Sequence, residues 1–542
     1  MADGLLNKAS IILTPTGYKA GTLYNVAPVV EPYEDFDFAR ASVASRVNSS
    51  GLVEMVGRTL GSELVTCGDF SCADPNDYWN LQNGWSIGDD EAVFSGTVSA
   101  YRKLYQTNFI TIGKTYQLSF EITSITAGSI ANFEPGSPSF DTVGVKTQTF
   151  VATYDDLYLE PTNNANLTIT NISVKEVIDT NNIPRISYDS NGDNGHILLE
   201  PTSTNLVPYS EDFTQGWAVS DATITPNSIT SPSGQDNAST LTTSASGGTV
   251  QETLTISDGD LTFSLFVRKG TTNGVRLRID AATDVNGYFN INDGTIFSQT
   301  DDAKIEVINA DWYRVSISAN VTSFVKASIY TTDGTTSYDN GTVYIWGGQL
   351  EQLSYATSYI PSLTGSTVTR ATETATGAGS ADLINSTEGV LYAEIAALAN
   401  DGTFREISLN DGSTNNVVEI RYKSTANQFQ FVVRNGGAAV VSPTITLTNP
   451  LEFIKVAFSY KTDDYKMYIN GVEVATDTSG TMPSGLNNLS FDWGGSNPFY
   501  GKVKALAVFN EALSDDELEL LTGVTNYGSF GELASANGYT II

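Results

Sequence analysis

The sequence predicts an all-β protein made of tandem β-sandwich domains with a further sandwich at the C-terminus. Three observations carry this prediction. First, 40% of the 542 residues are hydrophobic and 16% charged, with 47 glycines and many Thr, Ser and Asn, which suits short strands joined by turns. Second, residues 453–476 alternate between two unlike faces with period two and turn at Asn470-Gly471, the strongest short hairpin signal. Third, the pattern of residues that opens near position 62 recurs at position 206, so the chain holds two domains of one kind. A chain this long exceeds one hydrophobic core, and three or four domains are expected.

In chain order, residues 1–35 hold one convincing strand, residues 10–14, ahead of the acidic VEPYEDFD. That is too little to fold alone, and the segment is expected to be an arm that docks on a partner. Residues 36–60 read as short strands joined at Asn48-Ser49-Ser50-Gly51. Their continuation appears at 178–205, in IPRISY and GHILLE, so the two pieces are expected to form a small β-unit split by an insertion. The insertion, 62–177, opens with Leu64-Val65, Asp69-Phe70, Trp79 and Trp85, has TYQLSFEI in its middle and closes with LTITNISV. The second copy, 206–360, repeats these features in Leu206-Val207, Asp212-Phe213 and Trp217, then LTFSLFV, then VYIW. Pro361 and a Thr/Gly/Ser run mark 361–381 as a linker. A final sandwich spans 382–525. It ends in a helix signalled by Ser514 with Glu517 three residues on, a capping box, and by Gly523 at the C-cap. The tail, 526–542, is expected to add a short second helix.

These residues carry resemblances to known families. Within 451–509, an aromatic followed by VAFSY, a polar turn and YINGV resembles the laminin G and concanavalin A-like lectin/glucanase sandwich. YGKVKALAVF and then ALSDDEL resemble that family's closing strand and final short helix. The resemblance implies a C-terminal concanavalin A-like lectin/laminin G fold but no single chemistry, because that fold hosts lectins, adhesion modules and glycosidases. The short strands of 62–177 and 206–360, spaced by Gly, Asn, Asp and Ser turns, resemble jelly-roll carbohydrate-binding modules. Taken in order, ASIILTPTGYKAGTLYNVAP, FARASVASRVNSSGLVEMV, HILLEPTSTNLVPYSEDFTQGW and IWGGQLEQLSYATSYIPSLTGSTVTRATE resemble recurring segments of tailed-bacteriophage virion proteins. This implies a virion structural protein, whether tail fibre, receptor-binding protein or head appendage. It would join other virion proteins through residues 1–35, assemble as a homo-oligomer with a trimer favoured, and display its sandwiches to host-surface glycans. The alternatives are a decoration protein that only stabilises the particle and, third, a polysaccharide depolymerase.

Charge narrows the partners. Lys+Arg 28 against Asp+Glu 61 gives a net charge of -33, spread along the chain, which repels nucleic acid and anionic membrane. No apolar run reaches membrane-spanning length and the N-terminus lacks a signal-peptide core, so the expected route outside is on a particle released by lysis. The one histidine, His196, is expected to face a turn or pair with a backbone group, which leaves no Ser-His-Asp or Cys-His arrangement. No strand carries an E-x-D-x-x-E pair of carboxylates. The protein therefore reads as a non-enzyme that requires no cofactor, with clustered Asp and Asn oxygens able to hold a structural calcium ion. Cys67 and Cys72 in TCGDFSCAD either close a small hairpin disulfide or stay as two thiols.

Glycan binding calls for exposed aromatic faces with Asn, Asp or Gln beside them. Tyr78, Trp79 and Trp85 in DPNDYWNLQNGW are the leading candidates, with Tyr78 and Trp79 expected outside and Trp85 in the core. Trp217 is expected to cap the core of the second copy, and Trp312 and Trp346 to pack within strands. In the last sandwich Asp492, Trp493, Asn497 and Tyr500 are expected to gather near the rim, where relatives of the fold bind sugar or calcium.

Overall fold

The computed structural model describes residues 5–27, 34–132, 134, 137–193, 195–245, 247–363 and 365–523. The helix expected in 526–542 lies outside them. Nearly all of the described residues belong to three β-sandwiches.

Module one, 62–177, packs two antiparallel sheets. One runs in the order Gly144–Val151, Thr115–Ala127, Asn166–Asp179, Glu91–Phe94, Trp85–Gly88, with Arg58–Glu63 also paired to Asn166–Asp179. The other runs Ser139–Phe140, Ile130–Asn132, Leu157–Pro161, Leu104–Gln106, Asn80–Leu81. The alternation of TYQLSFEI decides the faces: Tyr116, Leu118, Phe120 and Ile122 enter the core while Thr115, Gln117, Ser119 and Glu121 face away from it. Module two, 206–360, packs two six-stranded sheets around Leu261, Phe263, Leu265, Val315, Ile317 and Ile345. Its long strand Gly259–Lys269 pairs with Trp312–Val321 on one side and Gly341–Glu351 on the other.

The C-terminal sandwich pairs a six-stranded sheet with an eight-stranded one. Ile454–Lys461 and Tyr465–Ile469 form the expected hairpin, and Asn470 and Gly471 take positive φ at the next turn, where a left-handed backbone is required. Ile454, Val456, Phe458 and Tyr460 face the core. The opposite face is also buried: Ala457 lies beneath Leu518 and Leu521 of the helix Asp515–Thr522 and beside Leu5, Leu6 and Ile12. Each such leucine is worth about 1.5–3 kcal/mol when fully buried. The helix begins with the expected capping box between Ser514 and Glu517. Gly523 is extended rather than left-handed, and a Cβ there would come within 2.7 Å of the Glu519 carbonyl oxygen.

Three sequence expectations change. Within the expected arm 1–35, Ala9–Leu13 does not stand apart, because it pairs with Gly501–Phe509 of the C-terminal sheet. Its run Ser10-Ile11-Ile12-Leu13 is buried on both faces, between the core and the cluster of Leu5, Leu6 and the final helix. The pieces 36–60 and 178–205 do meet, through Arg40 with Asn182, Val47 with Tyr188 and Gly57 with Thr180. They form no unit of their own, since Ile186–Ser187 and His196–Leu199 extend the C-terminal sheet and Phe36–Ala39 pairs with Thr374–Thr376. The hairpin of Ala44–Val47 and Val53–Val56 lays Val53 on the outer face of module two with Trp312, Trp346 and Tyr359. The linker 361–381 is likewise paired: Val368–Arg370 adds to Ser203–Asn205.

What joins these pieces is a buried ionic cluster. Arg40 Nη1 meets Glu373 Oε1 at 2.7 Å, Arg185 Nη2 meets Glu200 Oε2 at 2.9 Å, and Arg370 Nη1 meets Glu200 Oε2 at 2.8 Å. Arg185 also contacts Glu373. All five side chains are at most 3% exposed. Between Arg185 and Arg370, Glu200 is held well below the usual carboxylate range, at about 2, against the opposing effect of burial. Arg370 Nη1 further donates to Thr357 Oγ1, which is bonded to buried Glu351, so three arginines face three carboxylates.

Candidate functional site

The six-stranded sheet of the C-terminal sandwich has an unusual second face. Strand alternation sends Ile407, Leu409, Ile420, Tyr422, Phe429 and Phe431 inward. It sends Glu406, Ser408, Glu419, Arg421, Gln430 and Arg434 to the other side, where an exposed polar face would be ordinary. Glu406 and Glu419 are instead fully buried. Their cover is the loop between Phe491 and Phe499, whose base is closed by the Phe499 N–H bond to the Phe491 carbonyl and whose two phenylalanines enter the core. Gly494 lets the loop descend: its φ is +53°, and a Cβ would lie 2.4 Å from the Ser413 carbonyl oxygen.

The loop places Trp493 against the Arg434 guanidinium, 4.9 Å from ring centroid to Cζ. Asn497 Nδ2 reaches Glu406 Oε1 at 3.4 Å. Arg421 Nη1 joins the two carboxyls, 3.0 Å from Glu406 and 3.1 Å from Glu419. Its Nε and Nη2 donate to Gln430 Oε1 at 3.0 and 2.7 Å. Phe404 covers the other side of that guanidinium, 5.0 Å from its centroid. Burial pushes the Glu419 carboxyl up, helped by the neighbouring charge of Glu406, and burial also raises Glu406 against the pull of Arg421. The pair therefore keeps a proton to higher pH than exposed carboxylates do. Glu406 Oε2, Glu419 Oε2, Arg434 Nε and Trp493 Nε1 are buried without a hydrogen-bond partner. The result is a covered polar layer, with donors and acceptors to spare, beneath an indole ring.

Of the residues expected near this rim, Trp493 and Asn497 touch this polar layer. The Asp492 carboxyl turns to the Gly495 N–H at 3.0 Å and is raised by burial. Tyr500 points elsewhere, its hydroxyl 2.9 Å from Thr372 Oγ1. Among the described residues no group of three or more His, Cys, Asp or Glu side chains converges as a metal site.

The aromatic trio of module one does not form a platform. Tyr78 is 46% exposed, but Trp79 is 2% and Trp85 8% exposed. Trp79 packs on Phe70 with centroids 5.4 Å apart and donates Nε1–H to the Cys67 carbonyl at 2.8 Å. Trp217 does the same in module two, 5.0 Å from Phe213 and bonded to the Tyr209 carbonyl at 2.9 Å. Trp79 is thus the counterpart of Trp217, a core cap, which is the reason it is not exposed. Cys67 and Cys72 are joined in a disulfide, with Cα atoms 5.8 Å apart, that closes the loop beneath it. Trp85 packs edge-on to Phe94 in the core. His196 lies in a strand, its ring 5.6 Å from that of Phe453.

Module one carries its aromatic surface elsewhere. Tyr105 and Tyr158 stand opposite each other on Leu104–Gln106 and Leu157–Pro161, rings 5.4 Å apart, with Tyr154 5.9 Å from Tyr158 and Lys103 Nζ 4.2 Å above it. The signal was present in sequence, because Tyr105 and Tyr158 each alternate with core leucines.

Residues 380–519 match the family model of the concanavalin A-like lectin/glucanases superfamily, of laminin G type. The C-terminal sandwich is therefore a concanavalin A-like domain. A search of curated proteins returned no match. Among solved structures, the carbohydrate-binding module of the Ruminococcus gnavus IT-sialidase, bound to α2,3-sialyllactose, is 19% identical with a TM-score of 0.23, over 27% of this chain and 94% of that one. A galectin from Caenorhabditis elegans is 13% identical with a TM-score of 0.19, over 23% of this chain and 83% of the galectin. Domain 4 of an extracellular arabinanase from Geobacillus stearothermophilus, in complex with arabinotriose, is 17% identical with a TM-score of 0.20, over 28% of this chain and 73% of that domain.

Proposed function

We propose that the protein is a virion structural protein of a tailed phage that binds host-surface glycans, with the covered polar layer under Trp493, reached when its loop lifts, as a principal sugar site. The observation that carries the glycan reading is the buried, incompletely bonded polar face of Glu406, Glu419, Arg434 and Trp493 in a lectin-family sandwich. A buried polar atom without a partner costs about 1–3 kcal/mol, and sugar hydroxyls together with an indole face would relieve that cost. The tyrosine face of module one offers a second place for stacking. The virion reading rests on the ordered phrases of the sequence. Because Ala9–Leu13 is held in the chain's own C-terminal sheet, attachment to other virion proteins, and the trimer, would use other surfaces.

A glycan array probed with the wild type and with Trp493→Ala tests the glycan reading. Hits that vanish in the variant are expected; a wild type that binds neither array nor host cells would make this a decoration protein. The virion reading is tested by quantifying the chain in purified particles, and its absence there would end it. The carboxyl pair Glu406 and Glu419 favours one further reading, polysaccharide cleavage by a general acid and its partner. Release of reducing ends from host polysaccharide, lost in Glu419→Gln, would establish it.

A further inference from the structure

A cleft of about 560 Å³ lies between the outer face of module two and the outer face of the C-terminal eight-stranded sheet, with the 44–56 hairpin along one side. Its lining holds more basic than acidic side chains, in a protein that is acidic as a whole. On module two, Lys304 and Arg314 stand on the adjacent strands Asp302–Val307 and Trp312–Val321. On the C-terminal sheet, Lys502 and Lys504 project from Gly501–Phe509 on the side away from the core residue Val503. Arg314 is the most telling. It is 7% exposed, yet among the described residues it forms no ion pair. Nη1 donates to the Thr357 carbonyl, Nη2 to Ser264 Oγ, and Nε has no hydrogen-bond partner. A buried cation bonded only to neutral groups and stacked on a ring, here Phe266 at 5.2 Å, is unfavourable, and an anion that reached it would relieve that cost.

We propose that this cleft is a binding site for an acidic saccharide, with Arg314, Lys304 and Lys502 supplying the positive charge. The far field of a chain at -33 repels anions, so only a local cluster acting within a Debye length of about 8 Å can hold one. Three acids line the cleft: Glu200 is already engaged by Arg185 and Arg370, Asp189 acts on Lys504, as does Glu394 nearby, and Glu306, cross-strand from Arg314, offsets one charge, which still leaves the basic side chains in excess. Arg46 is neutralised by Glu54 and is not counted among the donors of charge. Tyr188 is the part-exposed ring of the wall, with Tyr355 buried behind it and Phe453 covered by Lys504 Nζ at 4.1 Å, and the volume falls within the roughly 300–1,000 Å³ of small-molecule sites. The cleft shares no residue with the polar layer under Trp493, so either site can fail without the other.

The test is calorimetric titration of the full chain with three probes: trigalacturonic acid, its uncharged methyl ester, and a κ-carrageenan tetrasaccharide, which is sulfated and lacks carboxylates. At least one acidic probe is expected to bind, and which one separates carboxylate from sulfate recognition. The methyl ester should bind about tenfold more weakly than the acid if carboxylate is the ligand group. The double variant Lys304→Gln/Lys502→Gln, at two part-exposed positions that leave the core intact, should lose about tenfold or more for the acidic probe. The proposal is overturned if neither acidic probe binds at millimolar concentration, if methyl ester and acid bind alike with no sulfate binding, or if the double variant binds as tightly as the wild type.

Discussion

Single side chains divide here into those that hold a core and those that titrate. Trp79 and Tyr78 are neighbours with opposite roles. Trp79→Ala removes a buried indole and should destabilise module one by about 3–5 kcal/mol, whereas Tyr78→Ala should stay within about 0.5 kcal/mol; the transition of module one in a calorimetric melt reads both. Glu211 shows how burial writes pH dependence into the fold. It lines a cleft of about 580 Å³ between modules one and two and accepts hydrogen bonds from Asn237 Nδ2 at 2.6 Å and Tyr359 Oη at 3.0 Å. Burial nevertheless raises its carboxyl from 4.5 to about 7. Below the lower value both folded and unfolded chains hold the proton and the group is neutral toward stability. Between the two values the unfolded chain releases the proton first, so stability falls as pH rises, by roughly 2–3 kcal/mol at the full extent. Glu211→Gln should flatten the decline between pH 5 and pH 8 and leave stability near pH 4 little changed; an unaltered slope in urea melts would show that another group controls it.

At the scale of elements, the short connecting strands do more than their length suggests. Phe36–Ala39, Val368–Arg370 and Thr374–Thr376 hold few residues, and two- or three-residue pairings are weak alone. They persist because the Arg40, Arg185, Arg370, Glu200 and Glu373 cluster pins them where water is excluded. Removing one member of such a cluster leaves a buried charge without its partner, which costs about 3–5 kcal/mol. Glu373→Ala should therefore release the junction, seen as faster amide exchange through residues 36–47 and 185–200 while module one keeps its protection. If exchange there is unchanged, the apolar contacts and not the ions hold the pieces together.

For the whole molecule, module one behaves as an insertion whose ends touch. The Thr180 N–H bonds to the Gly57 carbonyl at 2.5 Å, and Arg58–Glu63 pairs with the end of Asn166–Asp179. The module has its own apolar core, from Val65 to Val174. Excising it and joining the chain at this point should leave module two and the C-terminal sandwich folded, and the isolated fragment 57–180 should melt cooperatively by itself. Loss of the C-terminal sandwich on excision would mean that the insertion supports the junction.

Period-two alternation determined much by itself, because each strand's faces depend only on its own residues. It gave the all-β class and the hairpin at Asn470-Gly471, while the recurring opening residues pointed to two modules of one kind and the motif resemblance to the concanavalin A-like end. The same alternation contains the outward positions Tyr105, Tyr158, Glu406, Glu419 and Arg434. Which of these meet depends on register and on what covers the face, and those are set by residues far away in the chain. So Trp79 was placed outside although its counterpart Trp217 was placed in the core, and the arm, the split unit and the linker looked separate. Only the tertiary structure closed Ala9–Leu13 against Gly501–Phe509, gathered three arginines around Glu200 and Glu373, and folded the Trp493 loop over two carboxylates. The physical reason is that hydrogen-bond pairing between strands and the burial of charge are decided between segments hundreds of residues apart, where local pattern carries no information.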